Sequence, residues 1–521
     1  MSVTSTLGRR QFLSGAAAAA AAGGLTLPGL AADRRRADEL GRARTISIFH
    51  TTDLHGRILP TSTYEGLDDV GGLARCATCI RQWRKESPHS LTVDVGDLVQ
   101  GTAASLHRDG KVMVELLNRL GYDAWTLGNH DFDWGPEALE ANLALSESPV
   151  LTANLTRGAE TPGGFAGAWG RVKPWLVKEV GGFRIGLVGL ITPGLPYWLA
   201  PDTLGGTAAT DPVASLTRSL ADISGEKCDA VVVLGHMGWK FEDDYANPVR
   251  LVTRTANKEV DVFLAGHSHQ NQPLWMLHDV VCTQASYHGI HCGRVDLTFD
   301  LDSRKLVDRK AFTVLMDDRF ALDPLVMELA KPDLDAADAQ LAREVCTVKA
   351  RVAGTGRNSP LAKLFCECFS DALAKQGIKV DGVFHGTFET GDLQPGRLTV
   401  ADCWKLIPYE NLLCTAEVTG GDLMGILTED AGVKHSDRTL WPFEVIRNGA
   451  GKPERILLDG EEIGRDRRYR VAFNSYDAQS GGRRFLEMRD ILRAPAAGQR
   501  TSRIDTRSAL IDGLLDRGTI G

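Results

Sequence analysis

The 521-residue sequence lacks several features that would assign a chain to a common class. It has no excess of basic residues, since its net charge is −8, which argues against a nucleic-acid polymer as partner. It has no apolar run strong enough for a membrane span, which argues against stable membrane insertion. Apolar and charged fractions of 43% and 24% are those of a globular protein. The length predicts two or three domains.

The N-terminal segment "GRRQFLSGAAAAAAAGGLTLPGLAA" places Arg9 and Arg10 before an Ala- and Gly-rich run. A twin arginine followed by X-Phe-Leu resembles the twin-arginine export signal. We therefore expect a signal peptide at 1–31, a mobile leader at 32–44, use of the twin-arginine translocation machinery and a periplasmic or secreted product. The alternative is a disordered Ala-rich tail with a chance arginine pair.

The cysteines do not follow the spacing of a zinc site. Cys76 and Cys79 form a C-x-x-C, but no second pair follows at a suitable distance, and the surrounding "GGLARCATCIRQWRKE" has a helical apolar period. Cys366 and Cys368 lie in a similar helical pattern. Although exported proteins often contain disulfides, these patterns favour buried free thiols, with one disulfide as the alternative.

Short β-branched runs alternate with amphipathic segments up to about residue 315. This alternation predicts a layered α/β or α+β domain over 45–315. The segment "DPLVMELAKPDLDAADAQLAREV" predicts a helical connector within 316–345, interrupted at Pro332. A second apolar-patterned region, 346–521, predicts a smaller C-terminal domain.

Ligand-type side chains follow the predicted strands, and each lies close to a glycine, which permits a sharp turn. They are Asp53, His55, Asp97, Asn129, His130, His236, His267 and His269. Buried carboxylates without a cation are costly, and mixed nitrogen and oxygen ligands suit Mn²⁺, Zn²⁺, Fe²⁺ or Co²⁺. A bridging carboxylate at Asp97 would hold two such ions about 3.5–4 Å apart, the geometry used for displacement at phosphorus.

The motifs D-x-H, G-D, G-N-H-D, G-H and G-H-x-H, in this order, resemble the signature of the calcineurin-like metallophosphoesterases. "GNHDFDWG" and "QASYHGIHCGRVDL" resemble the branch of 5′-nucleotidases, UDP-sugar hydrolases and 2′,3′-cyclic nucleotide phosphodiesterases. "LTVADCWKLIPYENLLCTAEVTGGDLMGIL" resembles the second domain of that branch. The resemblance implies a four-layer αββα sandwich with a smaller α/β C-terminal domain, and an exported dinuclear phosphohydrolase of nucleotide catabolism.

The resemblance also implies roles for individual residues. One metal would be held by Asp53, His55, Asp97 and His269, and the other by Asp97, Asn129, His236 and His267. A metal-bridging hydroxide would attack phosphorus in a nucleotide-like or other small phosphoester. His130, oriented by Asp133, would stabilise the charge that develops, and Asp131 is interpreted as a turn residue.

The C-terminal domain would recognise the substrate. The resemblance implies that Tyr409 and Tyr476 stack on it beside Asn411, with packing of both rings against the core as the alternative. Two motifs differ from the family. "HGTFETGDL" has Thr390 in place of an arginine, and a Gly-Gly-Asp is replaced by a Gly-Gly-Arg that ends at Arg483. Arg357 and Arg483 are therefore candidate anion contacts.

Two other functions stay open. The thiosulfohydrolases of bacterial sulfur oxidation resemble this site and also differ at the Gly-rich arginine motif. They usually lack the "HGR" that begins at His55 here, so they rank below the nucleotidases. A non-catalytic, metal-dependent binding protein would have no use for a general acid such as the His130–Asp133 pair.

Overall fold

The computed structural model describes residues 41–239, 245–387 and 391–521. The predicted signal peptide, most of the predicted leader and Thr390 lie outside the described residues. Within the three described ranges, no helix combines the length and apolar character that a bilayer crossing requires.

Two large β-sheets form the centre of the N-terminal part. Its strands, β1 to β15 in chain order, are Ala43–Thr51, Ser90–Asp94, Ala124–Thr126, Val150–Leu151, Leu155–Arg157, Val172–Lys173, Trp175–Val180, Phe183–Ile191, Thr207–Ala209, Ala230–His236, Val262–Ala265, Asn271–Leu277, Val280–Ala285, His291–Asp300 and Leu306–Leu315. One sheet has the order β15-β14-β1-β2-β3-β4-β6, and the other has the order β12-β13-β11-β10-β8-β7. Strands β5 and β9 form a separate pair.

Helices cover the outer faces of both sheets. The helices up to the connector, α1 to α8, are Leu73–Glu86, Ala103–Leu106, Lys111–Leu120, Gly135–Leu145, Pro201–Leu204, Pro212–Ser224, Val249–Thr255 and Pro324–Leu341. Residues of α1, α3 and α8 pack on the first sheet, and residues of α6 and α7 pack on the second. A third apolar cluster, which includes Ile48 and Leu187, fills the space between the sheets. The predicted layered α/β class is confirmed.

The connecting helix α8 differs from the prediction. It runs through Pro332 without the interruption that a proline favours. The neighbouring Asp333 is buried and accepts hydrogen bonds from Arg108 Nε and His107 Nδ1, both at 2.9 Å. These contacts with the N-terminal part hold the helix in place where local propensity would break it.

The C-terminal part has a smaller five-stranded sheet. The strands of the C-terminal part, β16 to β26, are Glu344–Val348, Gly382–His385, Gly396–Thr399, Leu412–Thr419, Thr439–Trp441, Glu444–Arg447, Pro453–Leu458, Glu461–Glu462, Arg468–Asn474, Arg500–Asp505 and Thr519–Ile520. The five-stranded sheet has the order β20-β17-β24-β19-β25. Helices α9 to α14 are Pro360–Lys375, Val400–Leu406, Gly420–Gly432, Ser475–Ala478, Leu486–Arg493 and Thr506–Arg517.

All ten cysteines are free thiols, and only Cys228 among them is not buried. Cys76 and Cys79 lie on the buried face of α1, and Cys366 and Cys368 lie on that of α9. The helical patterns around both pairs therefore correspond to real helices.

Candidate metal centre and its surroundings

The candidate ligands lie in loops at the carboxyl ends of neighbouring parallel strands. Strands β1, β2 and β3 are adjacent in the first sheet, and β10 and β11 are adjacent in the second. Asp53 and His55 follow β1, Asp97 follows β2, Asn129 follows β3, His236 ends β10, and His267 and His269 follow β11. In each of the two sheets these strand ends share one edge, which is where open α/β sheets place their sites.

Two overlapping groups of side chains are arranged to hold metal ions. Their ligand atoms lie within 4.8 Å of one another, with Asp53, His55, Asp97 and His269 in the first ligand group and Asp97, His236 and His267 in the second. Asp97 belongs to both groups, as expected for a carboxylate that bridges two ions. The structure thus brings together all six His and Asp ligands that the sequence predicted.

The histidines of both groups turn one ring nitrogen away from the centre. His55 Nδ1 donates to the backbone oxygen of Gln100 at 3.1 Å, and His236 Nδ1 donates to that of Val95 at 2.7 Å. A carbonyl can only accept, so in both residues Nδ1 carries a proton and Nε2 is the atom that faces the centre. Such second contacts fix the tautomer that binds a metal.

Several atoms at the centre have no hydrogen-bond partner among the described residues. Asn129 Oδ1 is one, and Asp97 Oδ2 and His236 Nε2 are others, although the last two lie 3.2 Å apart. The Nε2 atoms of His55 and His269 face each other at 3.0 Å. Buried polar atoms are rarely left without partners, and a cation would satisfy this set of lone pairs. The residues present therefore fit a pair of divalent ions, with Asn129 as an additional oxygen ligand.

The backbone at these ligands is strained. Asp53, His55, Asp97, His267 and His269 all have positive φ angles, between 48° and 69°. A non-glycine residue in this region costs on the order of 1–3 kcal/mol, and such residues cluster at functional sites. The glycine at 128 is also required, because a Cβ there would lie 2.2 Å from Asp97 Oδ1.

The electrostatics of the centre differ between its histidines. Burial alone would lower the pKa of His236, but the charge of Asp97 raises it to about 9, so a metal ion would displace one of its protons. Burial lowers the pKa of His55 and that of His267 to about 3, so both rings are neutral at neutral pH. Burial alone would raise the pKa of Asp97, but the nearby His236 and His130 hold it well below its usual range. Neutral imidazole and ionised carboxylate are the forms that coordinate metals.

His130 faces the same cleft but belongs to neither ligand group. Its Nδ1 donates to Asp133 Oδ2 at 2.7 Å. Burial alone would lower the pKa of His130, but the charges of Asp133 and Asp97 raise it to about 10. A protonated imidazole in this position can stabilise negative charge or donate a proton.

Asp131 does more than the turn role that we expected. Its carboxylate accepts hydrogen bonds from the backbone N–H groups of Gly128, Asp97, Leu98 and Val99 at 2.8–3.2 Å. It thereby joins the loop after β3 to the loop after β2 and fixes the position of Asp97. This role could not be predicted from the sequence, because three of the four backbone partners lie 32–34 residues away.

The C-terminal part approaches the centre on two sides. On the first side, the ring of Tyr409 lies nearly parallel to that of His130, with centroids 6.0 Å apart. Its neighbour Glu410 accepts from Gln100 Nε2 at 2.9 Å and from Arg507 Nη1 at 2.6 Å. Gln100 is the residue whose backbone oxygen holds His55, so this contact leads directly to a candidate ligand.

On the second side, the contact is made by Gly482. Its backbone N–H donates to the backbone oxygen of Tyr197, and its backbone oxygen accepts from the hydroxyl of Tyr245, both at 3.1 Å. Trp198, which follows Tyr197, lies 5.0 Å from the ring of His267. A Cβ at Gly482 would lie 3.5 Å from the hydroxyl of Tyr476, so this tyrosine is also at the domain boundary.

The remaining predicted substrate contacts have varied surroundings. Asn411 is half-buried. Arg357 donates from Nε to the buried carboxylate of Asp430 at 3.0 Å. The guanidinium of Arg483 lies over the ring of Tyr245 at 5.0 Å. For both arginines, contact with a substrate stays a prediction.

Comparison with known proteins agrees with this geometry. Residues 46–271 match the model of the calcineurin-like phosphoesterases, and residues 344–489 match that of the 5′-nucleotidase C-terminal domain. The chain joins a calcineurin-like phosphoesterase domain to a 5′-nucleotidase C-terminal domain. The predicted resemblance is therefore confirmed. Calcineurin-like phosphoesterases use two divalent ions, and the two ligand groups of this domain offer a candidate site.

The relatives cover different parts of the chain. The snake venom 5′-nucleotidase of Naja atra is 29% identical over 54% of this chain and 55% of its own length. The chain thus spans about half the length of the curated relatives that it matches. The structure of a 5′-nucleotidase precursor from Thermus thermophilus matches 92% of this chain and 97% of its own with a TM-score of 0.68 and 22% identity. The structure of a sulfate thiohydrolase of that organism matches 91% of this chain and 94% of its own, with a TM-score of 0.62 and 16% identity.

Proposed function

We propose that the protein is a metal-dependent phosphoester hydrolase that acts on a nucleotide or another small phosphoester. The observation that carries this proposal is the convergence of the two ligand groups on Asp97. When bound, the two ions, Mn²⁺, Zn²⁺, Fe²⁺ or Co²⁺, would polarise the phosphoryl group and make a water molecule acidic. The phosphoesterase and nucleotidase domain matches support the same reaction class.

His130 is the proposed catalytic residue of this chain. Its imidazolium would stabilise charge on a phosphoryl oxygen or protonate the leaving oxygen. Asp133 would hold the ring in one tautomer, and the 2.7 Å hydrogen bond between them supports this role. A protein that only bound its ligand would not need this pair.

Tyr409, Asn411 and Tyr476 are the proposed substrate contacts of the C-terminal domain. Tyr409 is 44% exposed and parallel to His130, so one face of an aromatic leaving group could stack there. Arg357 and Arg483 stay candidate anion contacts, although each guanidinium already has a partner in the protein. We also propose export by the twin-arginine route to the periplasm or the exterior, on the basis of the Arg9–Arg10 motif.

The proposal is tested with metal-free protein that is reloaded with Mn²⁺ or Zn²⁺. We expect hydrolysis of at least one of bis-p-nitrophenyl phosphate, p-nitrophenyl phosphate, 5′-AMP, 2′,3′-cyclic AMP and UDP-glucose. A peptide S-thiosulfonate in the same panel tests the thiosulfohydrolase alternative. Two bound metals with no phosphoester cleaved would overturn the proposal.

A further inference from the structure

The three ligand histidines with a described Nδ1 contact are held in different ways. His55 and His236 are buried and donate to backbone oxygens of the N-terminal domain. The Nδ1 atom of His269, which is half-buried, lies 3.1 Å from the hydroxyl oxygen of Tyr64. This ligand of the first group is therefore supported by a side chain, and Tyr64 is 67% exposed.

Tyr64 lies on a closed surface loop, residues 61–70, which we call the Tyr64 loop. Backbone hydrogen bonds of 2.7 and 3.0 Å between Thr61 and Val70 close it, and Thr63 N donates to Leu67 O at 2.8 Å within it. The ring of Tyr64 stacks on that of Tyr287, with centroids 4.3 Å apart and planes inclined by 12°. Its backbone N–H donates to the hydroxyl of Tyr287 at 2.9 Å. The Tyr64 hydroxyl is thus held in a defined place although its side chain is exposed.

The proton at this contact has one position that allows metal binding. His269 can bind a cation through Nε2 only if the proton is on Nδ1, which then donates to the Tyr64 oxygen. Without that oxygen, the Nδ1–H loses its described protein partner, and the ring loses the contact that favours this tautomer. Because His55 and His236 are held by the backbone, they do not share this dependence.

We propose that Tyr64 is a positioning residue for His269, and that the first ligand group depends on it while the second does not. This inference rests on the proposed metal centre.

The test is calorimetric titration of metal-free, full-length protein with Mn²⁺, for the unsubstituted chain and for Tyr64→Phe. Two binding events are expected in the unsubstituted protein, and His269→Ala and His267→Ala identify them by the event that each removes. In Tyr64→Phe we expect the dissociation constant of the first group to rise about 10–100-fold, while that of the second changes less than about threefold. The phenylalanine keeps the stacked ring, so the substitution removes only the hydroxyl.

Ser62→Ala is the matched control. It removes a hydroxyl of the same Tyr64 loop, but this hydroxyl donates to Asp68 Oδ1 and not to His269. We expect both of its constants to stay within about threefold of the unsubstituted values. Equal weakening of both events in Tyr64→Phe, no change in either, or an equal effect in Ser62→Ala would overturn the inference. An unsubstituted protein that binds no Mn²⁺ would instead overturn the proposed function, and this inference with it.

Discussion

The two sides of the cleft differ in burial. On the N-terminal side, Asp97 and His236 are buried, and their side chains form hydrogen bonds with the backbone. On the C-terminal side, Tyr409 is 44% exposed. The ligand residues have strained φ angles that only a rigid surrounding maintains. The C-terminal side presents aromatic faces, which require no exact hydrogen-bond geometry. The proposed metal ligands therefore lie in a rigid domain, whereas the proposed substrate contact at Tyr409 is a more exposed aromatic face.

The C-terminal side has one rigid support. Arg438 is buried and donates to both carboxylate oxygens of Asp477, at 2.8 and 3.0 Å, directly beside Tyr476. It also donates to Asp437 at 3.0 Å. Tyr476 thus lies beside a buried ion pair. Tyr409 is supported instead by the contact that its neighbour Glu410 makes with Gln100.

Asp97→Asn is expected to have the largest effect, because both ligand groups include this carboxylate. Substitution of groups that merely support a ligand already costs 10–100-fold, so loss of the shared ligand should cost more than about 100-fold in activity. Metal content per chain and kcat measure the effect. Asp335→Asn, on the exposed face of α8, is the control and should change neither. Two ions retained in Asp97→Asn would contradict the bridging role.

Arg438→Met is the next largest, and it acts on stability. It leaves Asp437 and Asp477 buried without their cation, which should lower the free energy of unfolding by about 3–5 kcal/mol in urea titrations. The exposed Arg351→Met should cost less than about 1 kcal/mol. Equal effects in the two variants would show that the buried ion pair is no support for Tyr476.

The same substitution should weaken the pH dependence of stability. Burial alone would raise the pKa of Asp477 and that of Asp437, but Arg438 and local hydrogen bonds hold both below the ordinary value. The unsubstituted protein therefore keeps this contribution above the unfolded pKa of about 3.9 and loses it as the pH falls through the lower folded values. Without the charge of Arg438 the pKa of both carboxyls rises, so Arg438→Met should lose less stability than the unsubstituted protein as the pH falls below about 4. Unfolding titrations at several pH values measure both slopes.

His130→Ala tests the division of roles within the N-terminal side. We expect it to keep both ions and to lose about 100-fold or more in kcat, because it removes only the positioned acid. Metal content and kcat are measured on the same sample. Loss of an ion in this variant would mean that His130 belongs to the ligand set.

Tyr409→Ala is expected to have the smallest effect, confined to binding. Loss of one stacking face costs about 1–3 kcal/mol, so KM for an aromatic substrate should rise by roughly 5–100-fold while kcat changes little. Tyr409→Phe keeps the aromatic face and should leave KM nearly unchanged. If both variants raise KM equally, the hydroxyl rather than the ring makes the contact, and if neither raises it, Tyr409 does not contact the substrate.

Much of the N-terminal side could be predicted from the sequence, because its ligands lie in short glycine-flanked motifs after recognisable strands. Asp53, His55 and Asp97 are examples, and the fold brings them together as expected. The helices around the cysteine pairs were equally predictable from their apolar period.

The supporting contacts could not be predicted, since they join residues that are distant in the sequence. Tyr64 and His269 are 205 residues apart, and Gln100 and Glu410 are 310 apart. The continuous helix through Pro332 depends in the same way on tertiary contacts made by Asp333. The protein partners of Arg357 and Arg483, which are Asp430 and Tyr245, could not be predicted from the sequence pattern for the same reason.

Anomalous diffraction from crystals of the protein loaded with Mn²⁺ tests directly whether Asp97 bridges two ions. We expect two peaks about 3.5–4 Å apart, both in contact with Asp97, one beside His55 and His269 and the other beside His236 and His267. A single peak, or two peaks that do not share Asp97, would contradict this expectation.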